Sequence, residues 1–139
     1  MIILGRGGYK LSAAAAEIKA NVAPEVATFA LDLYDRATVD SYVESIRSGE
    51  MAYDYLVNAA GYFSPTPFLE HTRENYHQYH DLNEAFFFIT QAVAKKMTAS
   101  GLKGSIVSIG SMWAKQAIKA TPPSAYSMAK AGLHALTKH

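Results

Sequence analysis

A phenol and an ammonium stand four residues apart in Tyr126-Ser127-Met128-Ala129-Lys130. On a helix this spacing sets both side chains on one face, within reach of a shared ligand. A nearby cation favours phenolate and lowers the phenol pKa toward a value useful for proton transfer. Alone, the pair is an ordinary helix surface. Three companions change its weight. Ser111 ends the segment Ile106-Val107-Ser108-Ile109-Gly110-Ser111, and Asn58-Ala59-Ala60-Gly61 ends an earlier apolar segment. Asn83 lies between them, in Asp81-Leu82-Asn83-Glu84. A serine after a strand is commonly a turn residue, and an asparagine in a helix commonly a surface one. Together, in this order, the four side chains make a specific constellation for moving a proton beside a polarised oxygen.

The surrounding pattern supplies elements to position them. Ile2-Ile3-Leu4, Val26–Leu31, Asp54–Asn58 and Ser105–Ile109 are short apolar runs bounded by turn residues, which reads as four strands. Helical spacing separates them: Lys10 to Ala20 through Leu11, Ala14, Ala15 and Ile18, then Asp35 to Ser48 through Val39, Val43 and Ile46. Thr72 to Met97 reads as two helices in sequence, the second with Leu82, Phe86, Ile89, Val93 and Met97 along one stripe. Pro122-Pro123-Ser124 opens a last helix that meets no stop before His139. Strands alternating with helices predict an α/β fold, a doubly wound parallel sheet of the Rossmann type buried on both faces. Such sheets present ligands at the carboxyl ends of their strands, where Ser111 and Asn58–Gly61 lie.

These residues resemble the short-chain dehydrogenase/reductase family, whose hallmarks are an Asn-Asn-Ala-Gly strand end and a Tyr-x-x-x-Lys helix preceded by a serine. The resemblance runs from Met1 to His139 and implies an oxidoreductase that interconverts a carbonyl and an alcohol with a nicotinamide cofactor. By this resemblance Tyr126 is the general acid/base, and Lys130 holds the nicotinamide ribose and depresses the tyrosine pKa. Ser111 hydrogen-bonds the carbonyl oxygen where charge develops. Asn83 holds a water that relays protons from Lys130. Asn58, Ala59, Ala60 and Gly61 line the cofactor, and Asp32 with Leu33 lies against the adenine. The family commonly forms dimers and tetramers through the helix bearing Phe86-Phe87-Phe88 and the next one, so a homo-oligomer is expected. In dinucleotide folds an acidic residue after the second strand binds the ribose 2′-hydroxyl, whereas an Arg accommodates a 2′-phosphate. Here Gly5 takes the acidic place and Arg6 follows, which favours NADP(H) over NAD(H).

The bulk numbers are compatible with this reading. The chain has 139 residues, half of them hydrophobic, a formal net charge of +1 and no cysteine. Near-neutral charge argues against nucleic acid or anionic membrane as partner, and the lack of cysteine removes thiolate chemistry. No apolar run reaches the length of a membrane span and no signal peptide is evident, so a soluble cytoplasmic protein is expected. His71, His77 and His80 lie close together without a fourth ligand, and no metal site is expected from them.

Two departures from the family pattern stand out. The stretch from Ser111 to Tyr126 is longer than usual, which predicts a modified substrate loop over 112–125, with Met112 and Trp113 either in the pocket or in packing. More seriously, the strand and Gly-x-x-x-Gly-x-Gly turn that seat a pyrophosphate are absent, because Gly5-Arg6-Gly7-Gly8 follows what aligns as the second strand. The last strands are absent as well. The expectation is a single incomplete domain over 1–139, with two unpaired edges where the first strand belongs. An isolated chain is then expected to be inactive, and unstable unless rearranged or rescued by another chain. Met1–Leu4 as a first strand with a degenerate glycine turn is the lesser alternative. A non-catalytic association or regulatory module is the rival to the enzyme.

Overall fold

The structure is a computed structural model that describes residues 1–101 and 103–139. The chain forms two compact units, Met1–Ser41 and Tyr42–His139.

In the first unit, strand β1 (Ile2–Gly5) leads through the glycine turn into helix α1 (Gly8–Asn21) and then strand β2 (Ala27–Ala30). The strands pair in parallel, from Ile2 opposite Ala27 to Gly5 opposite Ala30. Two further backbone bonds, from Ala27 N to Met1 O and from Leu31 N to Gly5 O, extend the ladder. Leu11 and Ala15 form the buried stripe of α1, the alanine-rich helix crossing between the two strands. Asp35 starts helix α2 (Arg36–Ser48) by accepting hydrogen bonds from Thr38 N at 3.3 Å and Thr38 Oγ1 at 2.6 Å. The Thr38 hydroxyl holds this carboxyl below its ordinary pKa. Val39, Val43 and Ile46 are the buried positions of α2, as their spacing predicts.

In the second unit, strands β3 (Tyr55–Asn58) and β4 (Ser105–Ser108) pair in parallel with Tyr55 opposite Ser105 and Asn58 opposite Ser108. Between them runs helix α3 (Arg73–Ala99), and helix α4 (Ser124–Leu136) follows a short 3-10 turn at Met112–Ala114. The two-helix expectation for 72–97 is corrected: α3 is continuous over 27 residues. A reciprocal cap begins it, in which Asn75 N donates to Thr72 Oγ1 and Thr72 N donates to Asn75 Oδ1. No glycine or proline interrupts it. The last helix stops at Leu136, three residues short of the predicted end.

The strands are less buried than a doubly wound sheet predicts. Tyr55, Val57, Val107 and Ile109 share one face of the β3–β4 pair, and each is 47% exposed or more. Leu56, Asn58, Ile106 and Ser108 face the other way, where α3 packs. A period-2 alternation explains why one strand carries both conditions. Phe86 is buried, whereas Phe87 next to it is exposed, so the phenylalanine run is not core throughout. No helix among the described residues is long and apolar enough to cross a membrane.

Candidate active site at the ends of β3 and β4

Asn58 closes β3 with a buried side chain, and its amide donates to Thr90 Oγ1 of α3 at 2.9 Å and to Ser108 Oγ of β4 at 3.4 Å. Its backbone carbonyl accepts from Ile109 N at 2.9 Å, which carries the β3–β4 ladder one step past the strands. The side chain is thus spent on tying strand to helix and strand to strand. Ala59, Ala60 and Gly61 after it are exposed.

The segment after β4 is gripped by α4. Lys130 is 8% exposed, and its ammonium donates to Ile109 O at 2.7 Å. Burial pushes the Lys130 pKa below its ordinary value. One turn further along α4, His134 lies against Gly110 so closely that a Cβ there would sit 2.1 Å from the imidazole Nε2. A larger residue there would have to push the imidazole aside. Ser111 follows, capping the 3-10 turn by accepting from Trp113 N at 3.3 Å. Met112 is exposed and Trp113 half-buried.

Tyr126 stands one turn before Lys130, with the ammonium 5.7 Å from the centre of its ring. The rings of Phe63 and Tyr79 meet it edge-on, at centroid distances of 4.9 and 5.5 Å. Asn83 joins α3 to α4, its amide donating to Ala129 O at 2.7 Å, beside the lysine. The second unit therefore gathers Asn58, Asn83, Ser111, Tyr126 and Lys130 around the ends of two parallel strands and the helix that covers them. In the first unit, the Arg6 guanidinium lies over the Tyr34 ring at 5.9 Å, and Asp32 Oδ1 accepts from Tyr34 N at 3.1 Å. Tyr34 thus brings Arg6, Asp32 and the intervening Leu33 to one end of the β1–β2 pair.

The model of the family described as short chain dehydrogenase matches residues 1–139. The chain belongs to this family. Among curated relatives it is 35% identical over 99 residues to a sorbitol dehydrogenase of Cereibacter sphaeroides, covering 70% of this chain and 39% of that one. It is 35% identical over 109 residues to an L-2,3-butanediol dehydrogenase of Corynebacterium glutamicum, covering 78% of this chain and 42% of the other. A solved structure of L-sorbose reductase from Gluconobacter frateurii, complexed with NADPH and L-sorbose, superposes with a TM-score of 0.85 at 30% identity, over 99% of this chain and 51% of that one. The chain thus has the α/β Rossmann-like fold of short chain dehydrogenases and spans about half the length of such relatives, or less.

Sequence reasoning missed two residues that shape this site. Tyr79 reads as one more aromatic on a helix, and His134 carries no motif. The signal for His134 lay in Gly110, a glycine between a strand and a serine, where close backbone approach is a standard reason for the residue. The three histidines noted from the sequence part ways: His77 Nδ1 lies 3.1 Å from Asp81 Oδ1, while His80 stacks on Tyr76 at 4.0 Å. Burial lowers the His80 pKa.

Proposed function

We propose that the protein carrying this chain is an oxidoreductase that interconverts a small carbonyl compound and its alcohol, using NADP(H) in preference to NAD(H). The observation that carries the proposal is the buried Lys130 ammonium, held on the Ile109 carbonyl at the end of β4 and close beside the Tyr126 ring. A buried ammonium has three donors, and Ile109 O takes one of them. The donors left over suit a vicinal diol such as a nicotinamide ribose, so the residues present fit that cofactor. Bound there, a nicotinamide dinucleotide supplies the hydride that reaches the carbonyl carbon.

The protein's own groups manage the oxygen and its proton. Ser111 donates a hydrogen bond to the carbonyl oxygen as negative charge gathers on it. Tyr126 gives that oxygen its proton, and the resulting phenolate is stabilised by the Lys130 cation. A proton returns from solvent by way of Lys130, with Asn83 holding the connecting water. In the first unit, Arg6 is the proposed partner of the 2′-phosphate, while Asp32 and Leu33 lie along the adenine. Backbone of 58–61 lines the cofactor, since the Asn58 side chain is already engaged. The relatives named for sorbitol, butanediol and sorbose support a small polyhydroxylated ketone or its alcohol as substrate.

The two units are proposed to be parts of one incomplete domain. Each of β1–β2 and β3–β4 is a parallel pair crossed by a helix, the repeating unit of such a domain. The sequence carries no Gly-x-x-x-Gly-x-Gly turn to seat a pyrophosphate, and this chain by itself is expected to be inactive. A second reading, an association module, is favoured by the open apolar face of β3–β4 and by exposed Phe87 on α3, which also suit a homo-oligomer.

Replacing Tyr126 by Phe in the intact protein that carries this chain is the test. Turnover should fall by at least about a thousandfold, the order of a lost acid–base group, while NADPH binding stays nearly unchanged. Turnover within a few fold of the wild type would overturn the assignment.

A further inference from the structure

Phe63 meets the Tyr126 ring although it is 46% exposed, so burial alone does not hold it there. It belongs to the exposed segment Tyr62-Phe63-Ser64-Pro65-Thr66-Pro67 that follows the strand-end residues Ala59–Gly61. One residue along, Ser64 is fastened by both of its backbone groups to a single side chain. The Tyr79 hydroxyl donates to Ser64 O at 2.8 Å and accepts from Ser64 N at 3.1 Å. Tyr79 itself is anchored on α3, fully buried against Ala125 and Ala129 of α4. Its own ring is the second edge against Tyr126. It lies four residues before Asn83, and Asn83 holds Ala129 O on α4. Residues four apart on α3 therefore grip the turn of α4 that carries both Tyr126 and Lys130.

We infer that Tyr79 is a positioning residue for the reaction: its hydroxyl latches the 62–64 segment so that Phe63 and Tyr79 together hold the Tyr126 phenol beside Lys130. The inference rests on the reading of Tyr126 as the acid–base group. Burial keeps the Tyr79 phenol above its ordinary pKa, against the opposing effect of the Ser64 hydrogen bond. It therefore stays protonated and can both give and take a hydrogen bond while Tyr126 changes charge. Tyr79→Phe keeps the ring and deletes the latch. Phe63→Leu keeps the latch and deletes the edge it positions.

The test uses the intact protein and follows the steady-state kinetics of alcohol oxidation with NADP. For Tyr79→Phe, kcat should drop roughly tenfold or more, as for a slightly misplaced reacting group, with the KM for NADP altered less than twofold. A fall in kcat with KM for NADP kept marks a misplaced reacting group, since a general loosening of the fold would weaken cofactor binding as well. Phe63→Leu should lower kcat with the same small change in KM, and it provides the reading should Tyr79→Phe fail to fold. Wild-type kcat in a folded Tyr79→Phe, or in Phe63→Leu where that variant alone folds, would overturn the latch. If Tyr126→Phe abolishes turnover in the same series, the acid–base reading survives that failure. If Tyr126→Phe remains active, both fall.

Discussion

The two faces of the β3–β4 pair differ in almost every respect. One face carries Asn58 and Ser108 into a small polar network with Thr90 of α3, and continues to Gly110 beneath His134 of α4. The other carries Tyr55, Val57, Val107 and Ile109 with no such cover. The inner side therefore sets the apolar pair Leu56 and Ile106 beside the hydrogen-bonded pair Asn58 and Ser108, while the outer side exposes large apolar residues. The apolar face offers transferable hydrophobic stabilisation that the described residues leave mostly unused. Asn83, Tyr126 and Lys130, three of the side chains proposed for proton chemistry, come from α3 and α4, whose contacts with the strands lie on the covered side.

The comparison can be broken most forcefully at Gly110. A methyl group there collides with the His134 ring, which must swing aside, and Gly110→Ala should destabilise the protein by about 1–3 kcal/mol, the range for overpacking. His134→Ala in the same chain should restore most of the loss, as measured by chemical denaturation. No recovery in the double variant would mean that the ring is not the obstacle. A smaller effect is expected at Asn58. Its replacement by Ala leaves the hydroxyls of Thr90 and Ser108 without their shared amide donor, at a cost of about 1–2 kcal/mol. An unchanged unfolding midpoint would show the network to be dispensable. The open face should respond least. Val57→Thr is expected to shift stability by no more than about 0.5 kcal/mol, as for an exposed position. A clearly larger loss would show that in solution something covers this face.

Much of this contrast could be read before any coordinates, but unevenly. The Tyr126–Lys130 spacing fixes a shared helix face regardless of context, and apolar runs between glycine and proline stops define β3 and β4 to within a residue. The stripe Leu82, Phe86, Ile89, Val93 and Met97 is buried throughout, as its period requires. The split of α3 into two helices had less warrant, for Thr72 and Asn75 already form a capping signal and nothing breaks the helix before Ser100. Other features depend on which neighbours are present. Alternation shows that Val57 and Asn58 point opposite ways, but not that only one of those directions is covered. Tyr79 was hidden because a tyrosine on an apolar stripe has the same pattern as any packing aromatic. Its meaning comes from Ser64, fifteen residues away and in irregular backbone.

The length of α3 has a mechanical consequence. At the usual rise per residue its 27 residues make one rod of about 40 Å. Near its start Tyr79 is fastened to Ser64, and near its end Lys96 donates to the carbonyl of Gly49. Between those moorings α3 has no glycine or proline at which to bend, so a single stiff span fixes how far apart the Ser64 and Gly49 segments are tethered.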